Sequence, residues 1–184
     1  MAKMQSPERA KLFVSAIYSS IDALADVLTR LEKSFGRIES ETVDIPFSSD
    51  FYLEEMGENL KRRFYSFVKP VSRDKLPELK QVCTKIEKQF SDIVDDTAFR
   101  TVNLDPGLIT ADNVVMCSYR EYNHRIYLGS GVFAEQTLIW SRNQFVRLPW
   151  TNLDFCDVEA LSFFDQVRRE LIDETAKTIL PTGK

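Results

Sequence analysis

Residues 11–19, KLFVSAIYS, form a nearly continuous apolar run of strand length. A half-exposed strand alternates polar and apolar side chains, so an unbroken run marks a strand covered on both faces. The next segment has the marks of a helix. Ser20 offers an N-cap, Ile21, Leu24, Leu28, Leu31 and Phe35 recur at helical spacing, and Gly36 provides the stop. Residues 37–45, RIESETVDI, alternate and predict a second, more exposed strand, and residues 62–71, RRFYSFVKPV, predict a third. Pro77 suits the first turn of a second helix whose stripe is Leu79, Val82, Ile86, Phe90 and Ile93. Phe99 to Leu104 predicts a fourth strand. Strand, helix, strand, strand, helix, strand is the β-α-β-β-α-β order of a ferredoxin-like split βαβ sheet, placed here in residues 1–105 of an α+β chain.

The second half has a different rhythm. Thr110 is positioned to cap a short helix through Val114, Val115 and Cys117. Residues 122–128 and 132–140 predict a hairpin around Gly129-Ser130-Gly131, with Gly131 in the left-handed position that a three-residue loop demands. Its register sets Leu128 opposite Val132, Tyr127 opposite Phe133, Ile126 opposite Ala134, and Arg125 opposite Glu135 as a charged pair. A third strand, Gln144 to Leu148, comes after the turn Ser141-Arg142-Asn143, and a helix from Asp157 to Ile179 carries Leu161, Phe164, Val167 and Leu171. Residues 106–184 therefore extend the sheet by a hairpin or meander and a terminal helix. No repeat or linker interrupts the 184 residues, which read as a single α+β domain.

Composition removes several functional classes. A net charge of −4 argues against a broad electrostatic nucleic-acid surface, leaving Lys61-Arg62-Arg63 as the densest basic run and, most simply, a solvated strand or helix end. The three cysteines, Cys83, Cys117 and Cys156, show neither metal spacing nor an even disulfide framework; Cys83 and Cys156 read as packing residues. No charged-then-apolar leader opens the chain and no apolar run is long enough to span a bilayer, so a cytoplasmic protein away from membranes is expected. His124 is the one histidine, which eliminates sites built on two or three imidazoles. Neither a P-loop, a G-x-G-x-x-G turn nor a G-x-S-x-G elbow is present.

Polar candidates remain at three places. In TVNLDPGLIT (101–110), strand alternation puts Asn103 and Asp105 on one face, and Pro106-Gly107 suits the middle of a β-turn. Asp105 then either caps that turn or the Thr110 helix, or presents a carboxylate to a ligand at the strand end. On the hairpin, His124, Ile126, Leu128, Val132, Ala134, Leu138 and Trp140 form a core-facing set, with His124 buried against Gln136 or serving as an acid–base group. The opposite face carries Arg125, Tyr127, Phe133, Glu135 and Thr137, either a surface ion pair or a polar floor where Arg125 meets an anion. In DFYLEEMGENLKRR, Glu54, Glu55 and Glu58 precede Lys61 and Arg62, allowing self-paired helical contacts such as Glu58 with Lys61 or Arg62. Alternatively Glu55, Asp105 and Glu135 converge on Mg²⁺ or Mn²⁺ through oxygen ligands.

FSSDFYLEEMGENLKRRFYSF (47–67), VNLDPG (102–107) and HRIYLGSGVFAEQTLIW (124–140) together resemble the bacterial and archaeal domain-of-unknown-function family 4416. KLFVSAIYS and PWTNLDF (149–155) fit the same pattern. The family more often has an aromatic where this chain has Leu108, and Tyr-Pro-Asp-Tyr where it has Asn152, Leu153, Asp154 and Phe155. Those differences leave Asp105, His124, Arg125 and Glu135 in place. The resemblance implies a fold and a polar neighbourhood and supplies no activity.

The expected function is binding of a small anionic ligand, a nucleotide or phosphate ester, with or without Mg²⁺. Asn103, Asp105, Arg125, Tyr127 and Glu135 would contact it, and Asp105, His124 and Glu135 are the acid–base candidates if the protein is an enzyme. One alternative is an interaction module that meets a protein partner through Tyr127 and Phe133 or through Trp150 and Phe155. RNA stacking on Phe64, Tyr65 and Phe67 is a weaker one. Self-association into a homo-oligomer is compatible with any of these.

Overall fold

A computed structural model describes residues 3, 7–94 and 97–179. In chain order it contains β1 (Lys11–Tyr18), α1 (Ile21–Phe35), β2 (Ile38–Glu41), β3 (Ile45–Pro46), α2 (Asp50–Met56), β4 (Lys61–Phe67) and α3 (Leu76–Glu87). Then come β5 (Ser91–Val94), β6 (Thr97–Arg100), β7 (Val102–Ile109), β8 (Asn113–Ser118), β9 (Ile126–Gly129), β10 (Val132–Ser141), β11 (Gln144–Arg147) and α4 (Val158–Ile179). One large mixed-order sheet runs β11-β10-β8-β7-β1-β4-β2, with β3 beside β4 and β9 beside β10, and every pair is antiparallel. β5 and β6 form a separate two-stranded ribbon.

The unbroken apolar run of β1 is explained by its place at the middle of this sheet. Leu12, Val14, Ala16 and Tyr18 point to one face, where Leu24, Val27 and Leu31 of α1 and Cys83 and Ile86 of α3 cover them. Phe13 points to the other, into a cluster with Phe64, Phe155, Phe163 and Phe164, the last two from α4. Phe13 and Phe164 meet edge to face at 5.3 Å, and Phe64 and Phe155 at 4.9 Å. Large apolar side chains buried in this way contribute about 1.5 to 3 kcal/mol each. The second face also buries Ile17 against Tyr52, Met56 and Leu60, which roots the short helix α2 on the sheet.

Several boundaries differ from the sequence expectation. Residues 37–45 divide into β2 and β3. The third strand ends at Phe67, and the second helix ends at Glu87, so Ile93 belongs to β5 and not to a helical stripe. The residues expected to form a helix after Thr110 are strand β8. Thr110 instead closes the β7–β8 turn, its Oγ1 accepting from the N–H groups of Asp112 and Asn113 at 3.1 and 3.0 Å. In the hairpin, Tyr127 opposes Phe133 and Ile126 opposes Ala134 as expected, while Gly129 rather than Leu128 opposes Val132 across a bulge. The Arg142-Asn143 turn between β10 and β11 has positive φ at both residues, the type I′ geometry that suits a two-residue hairpin.

The largest correction concerns Asp105-Pro106-Gly107. These residues are not a turn after a strand; they are the middle of strand β7, opposite Ser15, Val14 and Phe13 of β1. Proline survives there because of its flank. Cys117 Sγ approaches the Pro106 carbonyl at 3.3 Å, so that carbonyl and the hydrogen-free nitrogen point toward β8, whose ladder begins only at Gly107. Gly107 is required by packing. A Cβ there would lie 2.3 Å from the Phe13 ring and 2.5 Å from the Val115 carbonyl oxygen. Gly107→Ala should therefore destabilise the protein by about 1 to 3 kcal/mol, because the backbone on one side cannot yield. Urea unfolding measures this, and a change below about 0.5 kcal/mol would show that the strand can shift to admit the methyl.

Candidate functional site

The β7–β8 ladder pairs Gly107 with Met116, Leu108 with Val115 and Ile109 with Val114, and goes no further. Where the strands part, two clefts open, and Asp105 of β7 and Ser118 at the end of β8 line both. The first cleft encloses about 730 Å³ and is walled by Arg62, Arg120, Arg125, Phe47, Tyr122 and Asp154 among others. The second encloses about 600 Å³ and reaches Lys80, Thr84, Glu87, Arg100, Asn103 and Tyr119. Phe51 and Tyr52 of α2, together with Arg120, form the shared partition. Each volume falls in the range of ordinary small-molecule pockets.

Parting from β8 leaves the backbone of Leu104 without a strand partner, and α3 supplies one. Lys80 Nζ donates to the Leu104 carbonyl at 2.8 Å, and the Leu104 N–H donates to Glu87 Oε1 at 2.5 Å. Lys80 also donates to Asp105 Oδ1 at 2.8 Å, while Asn103 Nδ2 donates to Asp105 Oδ2 at 2.8 Å. Arg100 Nη1 donates to Asn103 Oδ1 at 3.0 Å, and its Nε and Nη2 grip both Glu55 oxygens at 2.5 and 2.7 Å. The result is one chain of polar groups from α2 through β7 to α3, buried at Asn103, Asp105, Lys80 and Glu87 and partly exposed at Arg100 and Glu55. Burial pushes the Asp105 carboxyl upward, but the Lys80 charge and hydrogen bond and the Asn103 amide more than reverse this, holding it below the ordinary range. For Glu87 burial prevails over the Lys80 charge and its carboxyl is raised. Lys80 is desolvated as well, yet Asp105 and Glu87 keep it firmly charged, above the usual lysine value.

The first cleft has a different electrostatic character. Buried Arg62 forms an ion pair with Asp154 at 2.5 Å, donates to Ser15 Oγ at 2.9 Å, and lies over the Phe47 ring at 4.6 Å. Arg125 gives Nε to Glu135 Oε2 at 2.8 Å and Nη1 to the Arg120 carbonyl at 3.0 Å. The Arg120 N–H in turn donates to Ser118 Oγ at 3.2 Å, so its backbone is held from both sides. Its guanidinium carbon lies 3.3 Å from the centre of the Phe51 ring and 5.0 Å from that of Tyr52. No carboxylate among the described residues pairs with it. Asp157, at the mouth, spends its Oδ1 on the Glu159 N–H at the start of α4.

A family model for a domain of unknown function, DUF4416, matches residues 8–171. This chain belongs to the DUF4416 family. No curated protein and no solved structure matches it.

In this DUF4416 chain, Asp105 and Arg125 line the first cleft, and Glu135 stands behind Arg125, almost wholly buried. Asn103 lines the second cleft. Tyr127 does not join them: it lies on the far hairpin against Phe133 at 5.2 Å, 60% exposed. The expected faces of that hairpin hold in part: Val132 and Leu138 are buried as expected and Tyr127 is exposed, but Ile126 is 70% exposed while Glu135 and Thr137 are buried. A register shift between Gln136 and Leu138 turns Leu138 back into the core beyond them. His124 meets Glu135 Oε2 at 3.0 Å rather than Gln136, stacked between Tyr122 and Trp150, and lines neither cleft.

The carboxylates considered for a metal each have their own cation: Glu55 has Arg100, Asp105 has Lys80, and Glu135 has Arg125. Among the described residues no group of three or more His, Cys, Asp or Glu is placed to hold an ion. Helix α2 stops at Met56, so Glu58 makes no helical pair with Lys61 or Arg62, which lie in β4. Arg62 in that basic run is buried rather than solvated, and Phe64, Tyr65 and Phe67 are buried completely, which removes them as base-stacking surfaces. Sequence reasoning missed Lys80 and Arg120, and took Arg62 for part of a solvated basic run. A signal existed for the first, because Leu76, Lys80, Cys83 and Glu87 recur at helical spacing and share the buried face of α3.

Replacing Lys80 with Met leaves two carboxylates buried without their cation and should cost about 3 to 5 kcal/mol in chemical denaturation. Asp105 also imparts a pH dependence. Its folded pKa is lowered, so its stabilising contribution is complete above about pH 4 and is lost as the pH falls through the folded value. Glu87, being raised, acts in the opposite sense as the pH rises past its unfolded value. Asp105→Asn should therefore lose less stability than the wild type between pH 6 and pH 3, a comparison that urea midpoints make directly; parallel curves would refute it.

Proposed function

We propose that this protein binds a small anionic ligand, a nucleotide or another phosphate ester, in the cleft where β7 and β8 part. The observation that carries this reading is Arg120. A guanidinium without a carboxylate partner, backed by an aromatic ring and held at its backbone by Ser118 and Arg125, is a cation kept ready for an anion from solution. Arg125, expected to be the anion contact, is occupied by Glu135 and acts as the brace for Arg120. Arg62 adds positive charge deeper in the same cleft, although Asp154 balances it.

The finer fold assignment belongs to the same reading. The order β7-β1-β4-β2, with α1 and α3 as the connections that cover one face, fits a ferredoxin-like split βαβ core to which β8–β11 and α4 are added. The three cysteines are free thiols, consistent with a reducing, cytoplasmic setting. No helix among the described residues is long and apolar enough to cross a membrane.

A protein-interaction role is the second reading, favoured by Ile126, Tyr127 and Leu128, which stand exposed together on β9. The two separate in a thermal-shift series with inorganic phosphate, tripolyphosphate, sugar phosphates and nucleotides. At a hundredfold excess over Kd, a ligand of the proposed kind should raise the melting temperature by about 5 to 10 °C. Arg120→Ala should abolish the rise, and Arg125→Ala should weaken it through the loss of the brace. A flat series in the wild type, alongside a stable dimer disrupted by Tyr127→Ala, would replace the first reading with the second.

A further inference from the structure

The two clefts differ in what they offer. In the second cleft Lys80 is neutralised by Asp105 and Glu87, and Arg100 by Glu55. Of the other charged groups that line it, Lys88 and Arg120 have no carboxylate partner among the described residues, and Lys88 is exposed. Its rim carries half-exposed rings, Phe51 at 57% and Tyr119 at 42%, and Tyr119 also sits over Lys80 with the ring centre 5.4 Å from Nζ. Its lining includes hydrogen-bonding groups, among them Asn103, Ser91 and Thr84, whose buried Oγ1 has no partner. Arg120 and Phe51 border this cleft and the arginine-rich one alike.

We propose that the two clefts are one bipartite site for a nucleoside phosphate, with the phosphates on Arg120 in the first cleft and the base in the second, between the Phe51 and Tyr119 rims. This rests on the anion-binding reading of Arg120 and extends it to the rest of the ligand. The chemistry of the second cleft selects the base. A lone acyl chain would offer no hydrogen bond to Thr84 Oγ1, which would stay buried and unpaired. A sugar phosphate would leave the aromatic rims uncovered. A nucleobase has flat π-faces for the rings and a hydrogen-bonding edge for the floor, and stacking of one base on an aromatic side chain strengthens binding by roughly five- to a hundredfold.

Isothermal titration of the full chain with inorganic tripolyphosphate, the four ribonucleosides and the four ribonucleoside 5′-triphosphates tests this. At least one nucleoside triphosphate should bind tenfold or more tighter than tripolyphosphate. Tyr119→Ala and Thr84→Val should erase that advantage and leave tripolyphosphate affinity unchanged. Arg120→Ala should weaken both probes, with Arg120→Lys restoring part of the loss, and circular dichroism of each variant shows whether the fold is intact. If tripolyphosphate binds as tightly as every nucleotide, the base subsite is wrong and the anion site stands. If neither binds, both are wrong. Nucleotide binding that survives Tyr119→Ala and Thr84→Val together would also overturn the placement of the base.

Discussion

The separation of β8 from β7 beyond the Gly107–Met116 pair, on the Asp105 side, is the constraint on which the site depends. A central strand that loses its neighbour has backbone groups to satisfy, and in an interior they cannot be left unpaired. Lys80 and Glu87 meet that need at Leu104, and each brings a charge that then requires a partner. Asp105 answers Lys80, Asn103 answers Asp105, Arg100 answers Asn103, and Glu55 closes the sequence on α2. The polar chain is thus a consequence of an interrupted ladder. It ties a short helix, a central strand and a long helix to one another around the gap.

Charge pairing within the gap sorts the residues by what they are free to do. Arg62, Arg100, Arg125 and Lys80 are each opposed by a carboxylate close at hand. Such pairs fix geometry more than they add net stability, because the desolvation of both ions offsets most of their attraction. Arg120 differs in being held by its backbone and by the face of an aromatic ring. Stacking on an aromatic is worth about 0.5 to 2 kcal/mol and leaves the guanidinium donors unspent. For this reason the interest of the clefts centres on a residue that carries no sequence motif.

Legibility in the sequence tracked the range of the interactions concerned. α1 was readable from Ser20 to Gly36 because its stripe and its glycine stop are local features. Tyr127 opposite Phe133 came from alternation and loop length alone. Asp-Pro-Gly misled, because its local preference is a turn while its role is set by the Phe13 ring, pressed against Gly107 from a distant part of the chain. The hairpin faces were legible only in part: Val132 and Leu138 are buried as their pattern implied, but Glu135 and Thr137 are buried too, beside a bulge near Thr137, and bulges leave no reliable mark in hydrophobic pattern. Lys80 and Glu87 were visible as charges in phase with Leu76 and Cys83, but their meaning required knowing that an unpaired strand edge lay beneath them.

Short-range periodicity and composition were enough to set the type of most principal elements, the central burial of β1 and the residue types available for chemistry, while the motifs in residues 47–67, 102–107 and 124–140 carried the resemblance to the family. Folding in three dimensions was needed to carry β7 through Asp-Pro-Gly, to bring Asp105 and Arg125 to one cleft, and to leave Arg120 rather than Arg125 as the arginine of that cleft with no carboxylate partner among the described residues. The physical reason is that a charge is defined by its neighbours. Whether a guanidinium is spent or available depends on which carboxylate the fold brings within about 4 Å, and that distance is set by packing between segments far apart in the chain.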